Sequence, residues 1–196
     1  MNQRTAIFYN SYHRFYPLID FFLKPHKKEL LQRVNALPAG QLLEIGIGNG
    51  SLLPGYRRHV LTGIDISSRM LEVAAGRKTS IPVETAVMDG EALQFPDARF
   101  DYIVINHVLS VTTHPERMIH EAFRVLKQDG LLFIQNHFTP SNWLRFADML
   151  AAPFSKRLRL RSLFRVQDLP SLQQFELKES VTLGQLGYYK LLIYCK

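Results

Sequence analysis

The chain has 196 residues, a net charge of +7, and 46% hydrophobic against 21% charged residues, the balance of an ordinary globular protein with room for one substantial core. No run approaches the roughly 18 apolar residues of a membrane span, and the start, Met1-Asn2-Gln3-Arg4-Thr5, lacks the apolar core of a signal peptide. The single cysteine, Cys195, excludes a disulfide framework and a cysteine-rich metal site, so a reduced, cytoplasmic protein is expected.

Residues 1–40 read as a helical cap, punctuated by Pro17, Pro25 and Pro38, each of which disfavours helix at the residue before it. Phe8, Tyr12, Phe15 and Tyr16 fall at helical spacing and can share a face. Pro25 suits a first helical turn, and Leu30, Leu31, Val34 and Leu37 then form a core-facing stripe. From Gln41 strands and helices alternate. The apolar strand Gln41–Gly46 runs into Gly46, Gly48 and Gly50, with a short helix after it that Pro54-Gly55 interrupts. Strand Val60–Ile66 precedes helix Ser67–Ala75, which Ser67 caps and Gly76 ends. Strand Pro82–Val87 leads to Asp89-Gly90-Glu91, and strand Tyr102–Asn106 leads to helix Pro115–Leu126, whose apolar face is Met118, Ile119, Ala122, Phe123 and Leu126. Asp129-Gly130 then turns the chain into strand Leu131–Asn136. Such alternation implies a parallel sheet with right-handed crossovers.

After Asn136 the pattern changes. Residues 141–165 read as helical and strongly basic, and residues 175–195 as two strand-like runs around Gly184 and Gly187. The expected organisation is one domain: a cap over residues 1–40, a nucleotide-binding core over 41–140, and a basic segment with a terminal hairpin over 141–196. The charge is uneven, with a net of +4 in residues 1–40, −2 in 41–150 and +4 in 151–170. Basic flanks on a slightly acidic core suit an anionic partner such as a phosphate headgroup, a membrane surface or a nucleic acid; solvated faces of surface helices account for them equally well.

The stretch Gln41–Ser51 organises the rest. Glycine there permits positive φ and removes the Cβ that would keep a ligand off the backbone. A strand, a glycine turn and a helix mark the first βα unit of a nucleotide-binding sheet, and Asp65 stands about 20 residues on, where an acid holds a ribose. The dinucleotide fingerprint G-x-G-x-x-G would place its last glycine at Ser51. What stands instead is Glu44-x-Gly46-x-Gly48-x-Gly50, which resembles motif I of the class I S-adenosylmethionine (SAM) methyltransferases. Thr62-Gly63-Ile64-Asp65-Ile66-Ser67 and Val87-Met88-Asp89-Gly90-Glu91 resemble the next two motifs of that family. Phe100-Asp101-Tyr102-Ile103-Val104 and Glu121–Gly130 resemble its fourth strand and its R-V-L-K-P-G-G stretch, with Gln128-Asp129 in place of Pro-Gly. The resemblance covers roughly residues 41–136, about half of the chain.

The resemblance implies a Rossmann-like α/β fold: a mostly parallel seven-stranded sheet with an antiparallel C-terminal strand, helices on both faces and an N-terminal helical cap. It implies SAM as cofactor, held by Tyr12, Glu44, Gly46, Gly48, Gly50, Asp65, Ile66, Met70, Asp89, Gly90, Glu91 and Asn106. In the family the acid at Asp65 binds both ribose hydroxyls, a task for a carboxylate that accepts two hydrogen bonds, and the aspartate at Asp89 accepts the adenine amino group.

The acceptor is less marked. Base-modifying amino-methyltransferases carry an N-P-P-Y-like tetrapeptide after the fourth strand, where the aromatic stacks on a flipped base. Here that place reads Asn106-His107-Val108-Leu109, so nucleic acid is not favoured. His107–Val111, Pro115-Glu116-Arg117 and Asn136-His137-Phe138 resemble the bacterial phospholipid N-methyltransferases, which methylate phosphatidylethanolamine. That branch implies a lipid amine substrate and a peripheral place on the inner membrane face, with residues 154–165 as an interfacial helix against an anionic membrane surface. Tyr12, His107 and His137 are the candidate catalytic residues for orienting the amine or moving its proton, with Tyr9 and Tyr16 beside them. Phe95 is expected to pack only and Tyr56 to be peripheral. No His, Cys and Asp cluster at ligand spacing is apparent, so no metal is expected. A soluble small-molecule acceptor, N- or O-methylated, and a non-catalytic SAM-binding protein remain open, as does the oligomeric state.

Overall fold

A strand with no polar face to offer solvent belongs inside a sheet covered on both sides. β1 (Gln41–Ile45) is such a strand, with Leu42, Leu43 and Ile45 at most 1% exposed. A computed structural model, describing residues 27–139, 164–184 and 188–196, shows where it lies. After helix α1 (27–35) and β1 come β2 (Val60–Asp65), α2 (Ser68–Ala75), β3 (Val83–Val87), β4 (Phe100–Asn106), α3 (Pro115–Val125), β5 (Leu126–His137), β6 (Glu176–Leu183) and β7 (Tyr189–Cys195). The seven strands form one sheet in the order β3-β2-β1-β4-β5-β7-β6. β1 to β5 run parallel, and β7 is antiparallel to both β5 and β6. The expected Rossmann-like fold is therefore the one observed.

Alternation along each strand divides the core into two layers. Leu43, Ile45, Ile103, Ile105, Leu132 and Ile134 pack on one face with Met118, Ile119, Ala122 and Val125 of α3. On the other face Leu42, Leu61, Val104, Phe133 and Leu191 meet Leu30 and Val34 of α1, Leu71 and Ala74 of α2, and Tyr56. The stripe expected over Leu30–Leu37 thus makes α1 part of the sheet's core, and Arg33 ties it to Glu179 of β6.

Several local expectations change. The helix after Gly50 is only a 3-10 turn, Leu53–Gly55, because Pro54 and Gly55 follow the glycines too closely for a longer one. Ser67 caps α2, its hydroxyl accepting from Met70 N at 3.2 Å, and Gly76 ends the helix as expected, with φ −78°. β5 begins at Leu126 and not at Leu131. Asp129, where the family motif has glycine, takes φ +62°, a region that aspartate tolerates better than most side chains. The aromatic stretch with Tyr9, Tyr12 and Tyr16, and residues 141–163, lie outside the described residues. Phe164, expected on the apolar side of an interfacial helix, is instead buried, stacked on Phe138 at 5.6 Å. Its backbone pairs with Thr139, which leaves no helix there. Phe95 meets Phe100 edge-on at 5.1 Å, as packing requires.

If α1 is structural, Leu30→Ala should cost about 2–5 kcal/mol by urea denaturation. Leu177→Ala, at a side chain 50% exposed, should stay within about 0.5 kcal/mol of the parent.

Candidate functional site

The sheet order reverses between β1 and β4, and in open α/β sheets ligands bind beyond the strand ends at such a point. Gly46, Asp65 and Asp89 follow or end β1, β2 and β3, while Asn106, His107 and His137 stand at the ends of β4 and β5. The structure therefore brings most of the expected residues to one edge of the sheet.

The glycine loop is built from both sides. Gly46 N and Ile47 N donate to Ile64 O at 2.8 and 2.9 Å, which continues the β1–β2 pairing into the turn. Gly46, Gly48 and Gly50 all have positive φ, at 74°, 55° and 70°. A Cβ on Gly46 would stand 2.3 Å from Val108 Cγ2, and one on Gly50 would meet Leu53 and Ala74. A Cβ on Gly48 would meet nothing within 4 Å. Gly46 and Gly50 thus serve packing, and Gly48 offers open backbone of the kind a cofactor needs. Asp65 fixes that backbone: its carboxylate accepts from Gly48 N and from Ser67 N, each at 2.9 Å. Burial pushes the Asp65 carboxyl up, and the Ser67 and Gly48 N–H groups oppose the shift.

Beneath the loop lies Glu44, 2% exposed, which accepts from the Tyr56 hydroxyl at 3.0 Å. Tyr56 is fully buried, so the peripheral place expected for it is wrong. The short 3-10 turn folds it back under β1, a contact that strand and helix patterns do not encode. Burial pushes the Glu44 carboxyl up to about 8, with the Tyr56 hydroxyl and the Lys27 charge pulling it down. The same burial, with the Glu44 charge beside it, raises the Tyr56 phenol.

Two other expected cofactor contacts are engaged elsewhere. The Glu91 carboxylate accepts from the Thr112 hydroxyl at 2.6 Å and from His114 N at 2.8 Å. Burial alone would raise it, but these bonds hold it below the usual carboxylate range. Its side chain anchors the loop after β4. Met70 is 2% exposed within the first turn of α2, so its side chain packs and does not line an open cleft. Asp89 forms an Asx turn to Glu91 N at 2.9 Å. Gly90 is needed for packing, since a Cβ there would stand 2.6 Å from Ile45 Cγ2. Ile66 is half-buried directly after Asp65.

The β4–β5–β7 side of the edge is polar and aromatic. The Gln135 amide nitrogen bonds to Asn106 Oδ1 at 3.1 Å and to His107 Nε2 at 3.3 Å. With the amide donating, the ring proton of His107 belongs on Nδ1. Gln135 Oε1 and Asn136 Oδ1 are buried without a hydrogen-bond partner. His107 has φ +58°, a strain of about 1–3 kcal/mol that persists where the surroundings impose it. Tyr189 meets His107 edge-on at 5.6 Å and His137 at 5.7 Å, and His137 stacks on Tyr188 at 5.1 Å. Tyr188 and Tyr189 escape sequence reading because only the β5–β7 register, His137 opposite Tyr189, brings them here. Tyr12 lies outside the described residues. Among the described residues no group of three or more His, Cys, Asp or Glu is placed to hold a metal.

Two outcomes are expected from this geometry. Gly46→Ala should lose about 2 kcal/mol or more of stability, through both strain and overlap with Val108. Gly48→Ala should lose only about 1 kcal/mol, yet weaken SAM binding on the order of tenfold by calorimetry, since its methyl group enters open space. Glu44, with its folded pKa raised above the unfolded value, contributes stability that is complete below about pH 4.5 and lost as pH rises through about 8. Wild type should therefore lose on the order of 2 kcal/mol between pH 6 and pH 9 from this group. Glu44→Gln should remove that part of the pH dependence in denaturation at the two pH values.

Comparison with known proteins agrees with the geometry. Residues 43–134 match the family model described as a methyltransferase domain. A phosphatidylethanolamine N-methyltransferase from Cereibacter sphaeroides is 31% identical over 172 residues, which is 85% of this chain and 84% of the relative. A demethylmenaquinone methyltransferase from Tropheryma whipplei is 30% identical over 154 residues, 77% of this chain and 61% of the relative. Among solved structures, a SAM-dependent methyltransferase from Thermotoga maritima superposes with a TM-score of 0.72 at 19% identity, covering 98% of this chain and 99% of its own. The open backbone at Gly48, clamped by Asp65, fits SAM as the cofactor of such an enzyme. Sheet order, glycine loop and a relative matched over 85% of this chain converge on one conclusion: this chain belongs to the class I SAM-dependent methyltransferases.

Proposed function

We propose that this methyltransferase acts on the amine of a phospholipid headgroup of the phosphatidylethanolamine type. The observation that carries the reading is the extent of the likeness to the Cereibacter enzyme, 172 residues against the 92 of the matched methyltransferase domain. It reaches well beyond the cofactor-binding half. In this reading Gly48 and Asp65 hold the methionine and ribose parts of SAM, Asp89 the adenine, and Glu44 supports the loop from below. Asn106, one of the expected cofactor contacts, stands at the end of β4 with the buried Gln135 amide supporting it.

SAM would supply a methyl group already activated by its sulfonium, so the protein's work is to take up the acceptor as its ammonium, receive its proton and hold the freed nitrogen in line with the methyl group. With SAM bound, the nitrogen lone pair would form the N–C bond as the C–S bond breaks and the sulfur keeps the bonding pair, the acceptor's proton passing to a side chain of this protein. His107 Nε2 already holds the Gln135 amide, which suits His107 to positioning and leaves proton transfer to His137 and Tyr12. Docking on an anionic membrane through the basic residues of 154–165 belongs to the same reading. No helix among the described residues is long and apolar enough to cross a membrane.

The Tropheryma demethylmenaquinone methyltransferase supports a second reading, methylation of a quinone-type acceptor. Purified protein with SAM should be offered phosphatidylethanolamine in anionic vesicles, a demethylated quinone in the same vesicles, and soluble amines. S-adenosylhomocysteine release with a 14-dalton gain on the lipid headgroup is the expected result. Methylation of the quinone alone, or of soluble amines alone, would refute the lipid-amine reading.

A further inference from the structure

The cofactor side and the acceptor side of the edge differ in charge. Asp65 and Asp89 stand at or beyond the ends of β2 and β3. Around the ends of β4 and β5 and the start of β7 the chain reads Asn106-His107, Gln135-Asn136-His137 and Tyr188-Tyr189, with no carboxylate among them. A primary ammonium is strongly hydrated and is best met by a carboxylate. A methylated ammonium has lost much of that hydration and is met by aromatic faces. Four rings stand together here. Tyr189 lies at 85° to His107 and 73° to His137, and His137 lies within 12° of the plane of Tyr188. Rings at right angles form a corner, the arrangement that presents π surface to a cation from two directions. All four residues are only partly buried, so the corner is not sealed into the core.

We infer that Tyr189, with His107 and His137 beside it, is a specificity residue that holds the acceptor nitrogen and favours amines already carrying methyl groups over the primary amine. The inference rests on the amine-acceptor reading above and gives it a direction: the aromatic corner tightens on the acceptor as methylation proceeds, so the first transfer has the weakest-bound acceptor. Burial pushes the Tyr189 phenol up, which keeps the ring neutral and its hydroxyl protonated at ordinary pH.

The test uses full-length protein with SAM and mixed micelles containing phosphatidylethanolamine or its N-methyl or N,N-dimethyl derivative. Wild type should show KM falling along that series. Tyr189→Leu should raise KM for the dimethyl lipid about tenfold and for the unmethylated lipid less than about twofold, a difference of the size expected when a ring face on a cation is removed. Tyr189→Phe keeps the face and should behave as wild type, and both variants should bind SAM as wild type does by calorimetry. Equal KM changes for all three lipids in Tyr189→Leu, or a Phe variant as impaired as the Leu variant, would overturn the inference. A separate arm compares binding of choline with that of its uncharged isostere 3,3-dimethylbutanol, on protein carrying S-adenosylhomocysteine. Wild type should prefer choline and Tyr189→Leu should not. If wild type methylates none of the lipids, the lipid-amine reading fails. The choline arm then decides alone: a preference lost in Tyr189→Leu supports the aromatic corner, and no preference in wild type rejects it.

Discussion

A hydrogen bond inside the core, from the Tyr56 hydroxyl to the Glu44 carboxyl, supports everything built above it. Glu44 belongs to an interior strand, β1, and stands two residues before Gly46, so its backbone cannot move without moving the loop. Burial pushes its carboxyl well up, and a lone buried acid would cost several kcal/mol without a partner. Tyr56 supplies one, and the cost is met by a residue that also fills the space beneath α1. Core and site therefore share an atom pair. The loop is held from below by Glu44 and from the side by Asp65, and the residue between these holds, Gly48, alone faces open space.

The two ends of the molecule's edge are organised by different means. On the β1–β3 side the determinants are backbone and carboxylate, set by glycine conformation and by strand ends. On the β4–β7 side they are rings and amides, set by how an antiparallel strand registers against a parallel one. The loop joining the halves, after β4, is pinned at its far end by Glu91 through Thr112 and His114. Arg124 performs a similar service one layer out. It joins Glu121 and Asp97 and donates to the carbonyls of Leu93 and Phe95, which fixes the segment after Asp89 against α3. Part of what reads as a family motif, Glu121 to Gly130, is thus a clamp on the loop beside the site.

How much of this the sequence revealed depends on the range of each interaction. Alternating apolar runs and the glycine spacing carried the fold, the strand order's broad logic and the positions of Glu44, Asp65 and Asp89, because each is a local signal attached to a strand end. Tyr56 was misjudged because its partner is reached only through a 3-10 turn shorter than a helix pattern predicts. The anchoring role of Glu91 was not legible because the Thr112 hydroxyl it accepts from lies 21 positions away. Tyr188 and Tyr189 went unnoticed since nothing in a Tyr-Tyr pair announces which strand will lie opposite. The left-handed His107 is likewise silent in sequence, as only the tertiary frame imposes it.

The contact between Gly46 and Val108 carries a constraint on how this lineage can change. A side chain at position 46 would occupy the space that the Val108 methyl groups fill, so position 46 stays glycine while a branched residue stands at 108. Position 108 also lies next to His107, the left-handed residue held by the Gln135 amide. A mutation that shrinks residue 108 therefore does two things at once: it alters the neighbourhood of His107 and makes an alanine at 46 sterically admissible, though still at a positive φ. The reverse order is blocked. The order in which positions 46 and 108 can change is thus set by a single van der Waals contact.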